Sequence, residues 1–315
     1  MSHEKYRRLI DAAKGLPPVA TAVAHPCDET SLEGAIDAAK QGLIRPLLVG
    51  PSARIQAVAK KIHLDLAGYE LVEAPHSHAA AARAVALVAE GRAEALMKGS
   101  LHTDELMGAA VKRDAGLRTA RRISHCFVVD VPHYDDTLII SDAAVNIAPT
   151  LAEKADIVQN AIDLTKALRF PEARVAILSA VETVNPNIPS TVEAAALCKM
   201  ADRGQITGAK LDGPLALDNA ISLGAAKIKK ITSPVAGRAN VLIAPDLEAG
   251  NMLAKSLSML ARADAAGIVL GARVPIILTS RADSVMTRLA SSAVASLVAE
   301  ARRRTAGKAP AARRA

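Results

Sequence analysis

Short apolar runs alternate with helix-length stretches along most of this chain, and that alternation limits the folds open to it. Residues 46–50 (PLLVG), 69–73 and 95–99 (ALMKG) read as strands. Helical stretches fall at 32–40, 55–62, 79–90 and 102–112. Strand, turn and helix in repeated succession predict βαβ units, and βαβ units predict a parallel sheet covered on both faces. The middle differs. Residues 124–131 (SHCFVVDV) and 137–141 (TLIIS) are two apolar runs joined by a short polar link, as in an antiparallel hairpin or arm. Alternation then returns: helix 151–168, strand 175–179, helix 192–200, a strand near 209–211, helix 217–223, strand 241–244, helix 249–262, strand 274–278, and a last helix over 284–304. Asp212-Gly213-Pro214 is read as a turn.

The chain has 315 residues, half of them hydrophobic. That is enough for two domains or one large one. With no Trp, two Phe and three Tyr, the core must be aliphatic, and platforms for stacking bases are nearly absent. The net charge of +7 is concentrated in the last fifteen residues, at Arg302, Arg303, Arg304, Lys308, Arg313 and Arg314. Such a run reads as a solvated end before it reads as a nucleic-acid face. Cys27, Cys126 and Cys198 are far apart and form no CxxC, so neither a disulfide framework nor a zinc site is expected. The start, MSHEKYRRLI, has no apolar stretch behind its charges, and no 18-residue apolar run follows. A cytoplasmic protein without membrane or nucleic-acid partners is the expectation.

Three segments share one layout, an apolar strand ending in small or polar residues before a helix start. They are Met97-Lys98-Gly99-Ser100-Leu101-His102-Thr103, the stretch 240–251 with Asp246, Gly250 and Asn251, and 275–284 with Ser280, Arg281 and Asp283. In open α/β sheets ligands bind beyond the carboxyl ends of strands, where helix N-termini offer free N–H groups to anions. With Lys98, Arg281 and several hydroxyls, such corners suit a phosphorylated substrate. Plainer readings stand beside this one. Gly99 fits a tight turn, Ser100 or Thr103 a helix cap, and Asp283 or Ser284 the cap of the last helix. Lys98 is the sharpest, because charge is unusual at the end of an apolar run. No phosphate-binding P-loop, dinucleotide fingerprint or nucleophile elbow is present. His76 and His78, two residues apart, cannot share a helical face as metal ligands. His25 is unspecific.

At these same segments the chain resembles the phosphate acetyl/butyryl transferase family. The strings are LMKGSLHTDELM (96–107), LDGPLALDNAIS (211–222), SPVAGRANVLIAPDLEAGN (233–251) and TSRADS (279–284). The likeness runs from about residue 15 to about residue 300. It is also similar to the transferase half of fusions in which a hydratase-like domain comes first.

The resemblance implies acyl transfer between coenzyme A and phosphate, with CoA as a substrate and neither metal nor redox cofactor. It implies an α/β fold of two three-layer α/β/α domains with a cleft between them, like the isocitrate and isopropylmalate dehydrogenases, and a homodimer or larger homo-oligomer. The domains would be 1–120 plus 270–315, and 121–269. Ser280 and Arg281 match the family's catalytic Ser-Arg pair. Acetyltransferase members carry an aspartate where this chain has Thr287, which makes Asp283 the nearest acid. They carry Ser-Gly-Ala at Lys98-Gly99-Ser100, and an arginine where Ser258 or Met259 stands. These departures lean towards the butyryl-type group. Catalytic roles thus fall to Ser280, Arg281 and Asp283. Substrate binding falls to Lys98, Gly99, Ser100, His102, Thr103, Asp246, Gly250 and Asn251. Two other readings compete: a metal- and NAD-dependent decarboxylating dehydrogenase of the same fold, and a non-catalytic sensor of acyl-CoA or acyl phosphate.

Overall fold

The computed structural model describes residues 4–279 and 283–308. Two compact units emerge, one of residues 4–120 with 272–279 and 283–308, the other of 121–271.

The first unit begins with an amphipathic helix, α1 (Glu4–Lys14), that buries Tyr6, Leu9, Ile10 and Ala13. Strand β1 (Val19–Ala24) is buried at every position, as expected of a strand covered on both faces. There follow α2 (Glu29–Lys40), β2 (Ile44–Gly50), α3 (Ser52–Lys61), β3 (Glu70–Glu73), α4 (Ser77–Ala89), β4 (Ala95–Lys98) and α5 (Thr103–Ala110). Asp28 starts α2 by accepting from the Ser31 amide at 2.8 Å, and His76 starts α4 by accepting from the Ala79 amide through Nδ1 at 3.2 Å. Each cap satisfies one of the amides that a helix start leaves without a partner.

The second unit carries β5 (Ser124–Asp130), β6 (Leu138–Ser141), α6 (Leu151–Ala167), β7 (Arg174–Leu178), α7 (Pro189–Asp202) and β8 (Lys210–Leu215). It continues through α8 (Leu217–Ile221), α9 (Leu223–Ile228), β9 (Val241–Ile243), α10 (Leu247–Leu260) and β10 (Asp264–Leu270). The chain then returns to the first unit as β11 (Ile276–Ile277) and the long helix α11 (Val285–Lys308).

The strands of the first unit run in the order β3-β2-β1-β4-β11, every pair parallel. From β1 the sheet grows one way to β2 and β3, then reverses to place β4 on the other flank of β1. The carboxyl ends of β1 and β4 therefore meet at a switch point, where open α/β sheets form a crevice. Helix α11 is buried all round from Ala290 to Ala299. Its Ala, Ser and Val side chains allow that close approach.

The second unit has the order β10-β5-β6-β9-β7-β8. Its first three strands are antiparallel and the rest parallel. The fold is α/β with mixed strand directions. Val129, Leu138, Ile140, Leu178, Leu215 and Leu242 centre its core, with Phe127 and Tyr134 packed against them.

The structure corrects several expectations. Asp212-Gly213-Pro214 is not a turn but the middle of β8. This strand ends the sheet order, and an edge strand tolerates a proline because one side needs no donor. Gly213 fits because a Cβ there would press on Ile177 at 2.8 Å. The helix expected over 217–223 is two helices, with Ser222 capping α9 through the Ala225 amide at 3.3 Å. Strands β1 (VATAVA) and β10 (DAAGIVL) went unread because Ala and Gly blur the apolar run that marks a strand.

Candidate active site

The switch point of the first unit is built on one close approach. Gly99, directly after β4, lies against the chain directly after β1. A Cβ at Gly99 would collide with the carbonyl oxygens of Ala24 and His25, so only glycine fits there. Backbone hydrogen bonds seal the contact: Gly99 N–H donates to Ala24 O and Ser100 N–H to His25 O, both at 2.9 Å. The Ser100 hydroxyl completes the lock. It donates to His25 O at 2.8 Å and accepts from Cys27 N–H at 3.3 Å. Its oxygen is also 3.0 Å from Nδ1 of His25. With the hydroxyl proton on the carbonyl, Nδ1–H is the donor and Nε2 is left as an acceptor. His25 takes a left-handed backbone, φ 55°, and burial together with the nearby Arg54 charge lowers its pKa. The ring is therefore neutral at pH 7.

Beside this lock lies a small cleft lined by Asp28, Thr30, Ser31, Lys98, Thr279 and Arg288 among others. Asp28, Thr30 and Ser31 belong to the start of α2, where the helix dipole favours negative charge. Lys98 is half-buried at the end of β4. Arg288 lies one turn into α11 and is only 7% exposed. Its NH1 donates to the Asp283 carbonyl at 2.6 Å. Its Nε is buried with no hydrogen-bond partner, a state that costs about 1–3 kcal/mol for an ordinary donor and more for a charged one.

The predicted residues divide accordingly. Lys98, Gly99 and Ser100 come together at the switch point. Thr103 is the first residue of α5 and His102 the residue before it; both are exposed, and His102 makes no side-chain cap. Ser280 and Arg281 lie outside the described residues. Asp283 is half-buried just before α11. Ser284 is the cap of that helix, accepting from the Thr287 amide at 3.1 Å. Thr287, where acetyltransferase relatives are expected to hold an aspartate, is 5% exposed, and its hydroxyl oxygen accepts from Ser284 Oγ at 3.1 Å.

In the second unit, Asp246, Gly250 and Asn251 build a separate corner. Asp246 caps α10 by accepting from the Ala249 amide at 2.8 Å. Gly250 lets α10 settle against the Asp142 carbonyl, which a Cβ would strike. Asn251 Nδ2 donates to Ala143 O at 3.0 Å. The Asp142 carboxylate itself is buried at the end of β6. It accepts from the amides of His125 at 3.2 Å, Ala144 at 2.9 Å and Val145 at 2.9 Å. Asn146 Nδ2 is its fourth donor. A carboxylate so fully engaged organises its loop and has no lone pair left for a reacting proton. His125 is buried beside it, and burial holds its pKa down to about 4.

Reasoning from the sequence missed Arg288, the α2 start and the Asp142 cluster. Two of these carried a signal. Arg288 is the arginine that opens the otherwise small and apolar run LASSAVASLVA, and Asp142 ends the run TLIIS as Lys98 ends ALM.

Among the described residues no group of three or more His, Cys, Asp or Glu side chains is placed to hold a metal ion, and no helix is long and apolar enough to cross a membrane. All three thiols are raised by burial, Cys27 to about 11 and Cys126 and Cys198 to about 12. They are protonated at neutral pH and unsuited to forming an acyl-enzyme.

Comparison with known proteins agrees with this chemistry. The profile of the phosphate acetyl/butaryl transferase family matches residues 75–296. A phosphate acetyltransferase of Rhizobium meliloti is 68% identical over 96% of this chain and 95% of its own length. A phosphate butyryltransferase of Clostridium acetobutylicum is 42% identical over 91% of this chain and 95% of its own. Among solved structures, a branched-chain phosphotransacylase from Enterococcus faecalis V583 superposes with a TM-score of 0.77 at 30% identity, covering 89% of this chain and 99% of that one. A family match over most of the chain, and relatives this similar along nearly their whole length, lead to one conclusion: the chain belongs to the phosphate acetyl/butyryl transferase family, enzymes that move an acyl group between coenzyme A and inorganic phosphate.

Proposed function

We propose that this enzyme is an acetyl-preferring phosphate acyltransferase that works by direct attack of the CoA thiolate on acetyl phosphate. The observation that carries the acyl preference is the much higher identity to the Rhizobium acetyltransferase than to the clostridial butyryltransferase. It outweighs the lean towards butyryl chemistry that Lys98 and Thr287 suggest, because those departures sit inside a chain that is otherwise so similar.

In the forward step a bond forms between sulfur and the carbonyl carbon, the bond from that carbon to the bridging oxygen breaks, and phosphate leaves with its electrons. The thiol proton goes to a base, and Asp283 is the acid this reading assigns. Arg281 holds the phosphate and the charge that develops on it. Ser280 donates to the carbonyl oxygen as it becomes an oxyanion. Lys98, at the end of β4, adds a cation. Ser100 and Gly99 fix the corner from which Lys98 projects, while His102, Thr103, Asp246, Gly250 and Asn251 serve substrate binding. Near-attack geometry supplies much of the remaining acceleration. The raised thiol pKa values support direct transfer over an acyl-cysteine route. The finer architecture of two dehydrogenase-like three-layer domains, the homodimer and the cytoplasmic location belong to the same reading.

The test is CoA-dependent phosphate release from acetyl and butyryl phosphate, measured side by side. Higher kcat/KM for acetyl phosphate is expected. A higher value for butyryl phosphate overturns the acyl assignment. Thioester from neither, in folded protein that binds CoA, overturns the transferase reading and favours a sensor.

A further inference from the structure

We propose that Arg288 is a phosphate-holding residue of this enzyme, completing with Lys98 an anion pocket at the start of α2. The proposal rests on the acyl-transfer reading, since it assigns a residue to the phosphate that reaction consumes or releases. Four observations converge on it.

Arg288 is 93% removed from solvent, being 7% exposed, yet it lies on a helix that otherwise buries small and apolar side chains. It lines the same cavity as Lys98, Thr30 and Ser31. One of its donors, Nε, is buried with no acceptor, although the neighbouring NH1 is satisfied by the Asp283 carbonyl at 2.6 Å. Finally, the opposing helix is carved to receive it. Gly34 of α2 faces the arginine, and a Cβ there would stand 2.8 Å from Arg288 Cδ and 3.0 Å from Nε.

The charge balance of the cavity favours an anion. Among the described lining residues Lys98 and Arg288 bring two positive charges and Asp28 one negative, and one oxygen of that carboxylate is committed to the Ser31 amide at 2.8 Å. A guanidinium with one edge pinned and another donor unfilled is suited to a tetrahedral oxyanion, which accepts from two N–H groups at once. The Thr30 hydroxyl and the dipole of α2 favour the same ligand class.

A merely structural role is the competing account, in which Arg288 only clamps the Asp283 carbonyl. The two separate on substrate-specific kinetics. In the direction that consumes phosphate, Arg288→Gln is expected to raise KM for inorganic phosphate at least tenfold and leave KM for acetyl-CoA within about twofold. If both KM values rise together, or neither does, the proposal fails. Gly34→Ala keeps the arginine and crowds it. It is expected to raise KM for phosphate severalfold without loss of fold, and it decides the matter if Arg288→Gln does not fold; an unchanged phosphate KM in Gly34→Ala then overturns the proposal. Binding is read without turnover as well. Inorganic phosphate is expected to raise the Tm of the wild-type protein and not that of Arg288→Gln. Wild-type protein that makes no thioester but shows this phosphate-dependent difference refutes the transferase reading and keeps the pocket. Equal phosphate stabilisation of both proteins refutes the pocket and keeps the reading.

Discussion

At the scale of single residues, the reaction's charge is carried by side chains of two kinds, and the predictions separate them. Arg281 is assigned to the phosphate and the developing charge. Arg281→Ala is expected to lower turnover at least tenfold, about 1.4 kcal/mol or more of transition-state stabilisation, in steady-state assays of protein shown to be folded. Near-normal turnover removes it from the mechanism. Cys27 lies next to the switch-point lock but has a thiol raised to about 11. Cys27→Ala is expected to keep turnover within about threefold, and iodoacetamide at pH 7 should not inactivate the native enzyme. Much at this scale could be read from the sequence. Lys98 stood out as a charge ending an apolar run, and Ser284 as a helix cap. Arg288 opens a small apolar run, but an arginine near a helix start ordinarily reads as a surface charge, and the facing Gly34 is what shows that it is enclosed. Asp142 likewise ends an apolar run, but its pairing with His125 was hidden, since a hydrogen bond between segments seventeen residues apart has no periodic signature.

At the scale of elements, two helical glycines carry opposite expectations. Gly108 in α5 is exposed, and nothing lies near the position of its missing Cβ. Gly108→Ala should stabilise by about 0.5–1 kcal/mol, through lower unfolded-state entropy and better helix propensity. Gly250 in α10 lies against the Asp142 carbonyl. Gly250→Ala should destabilise by about 1–3 kcal/mol, as overpacking does. Urea-denaturation midpoints measure both; destabilisation by Gly108→Ala or neutrality of Gly250→Ala contradicts the packing described. The βα alternation was legible because each helix and most strands carry their own period. It failed where Ala and Gly dilute the branched residues that mark strands, at β1 and β10, and where an edge position accepted the proline of β8.

For the molecule as a whole, two buried histidines set a pH dependence of stability. His25 is lowered and His125 is held down to about 4, each chiefly by burial. In the unfolded chain both take up a proton near pH 6.5, the ordinary histidine value. The folded state then binds fewer protons than the unfolded state, so stability rises with pH through this window. Their contribution is complete above about pH 6.5 and shrinks as pH falls below it, for His125 until about pH 4. Urea midpoints should fall between pH 7 and pH 5. His125→Phe, which keeps a ring against Phe127 at the present 4.4 Å centroid distance, should flatten that slope. An unchanged slope in the variant would assign the acid sensitivity to other groups.

An enzyme that handles acyl phosphates spends its life beside an acylating reagent, and its own nucleophiles are the first bystanders at risk. Cys27 and Cys126 are buried and Cys198 is half-buried, and the pKa raised at all three keeps the thiols in their unreactive protonated form. After long incubation with acetyl phosphate, the cysteines should remain unmodified in an intact-mass and peptide measurement. The same burial means that CoA disulfide should not trap the folded protein as a mixed disulfide, so the enzyme should tolerate an oxidised CoA pool that would disable a cysteine-dependent transferase.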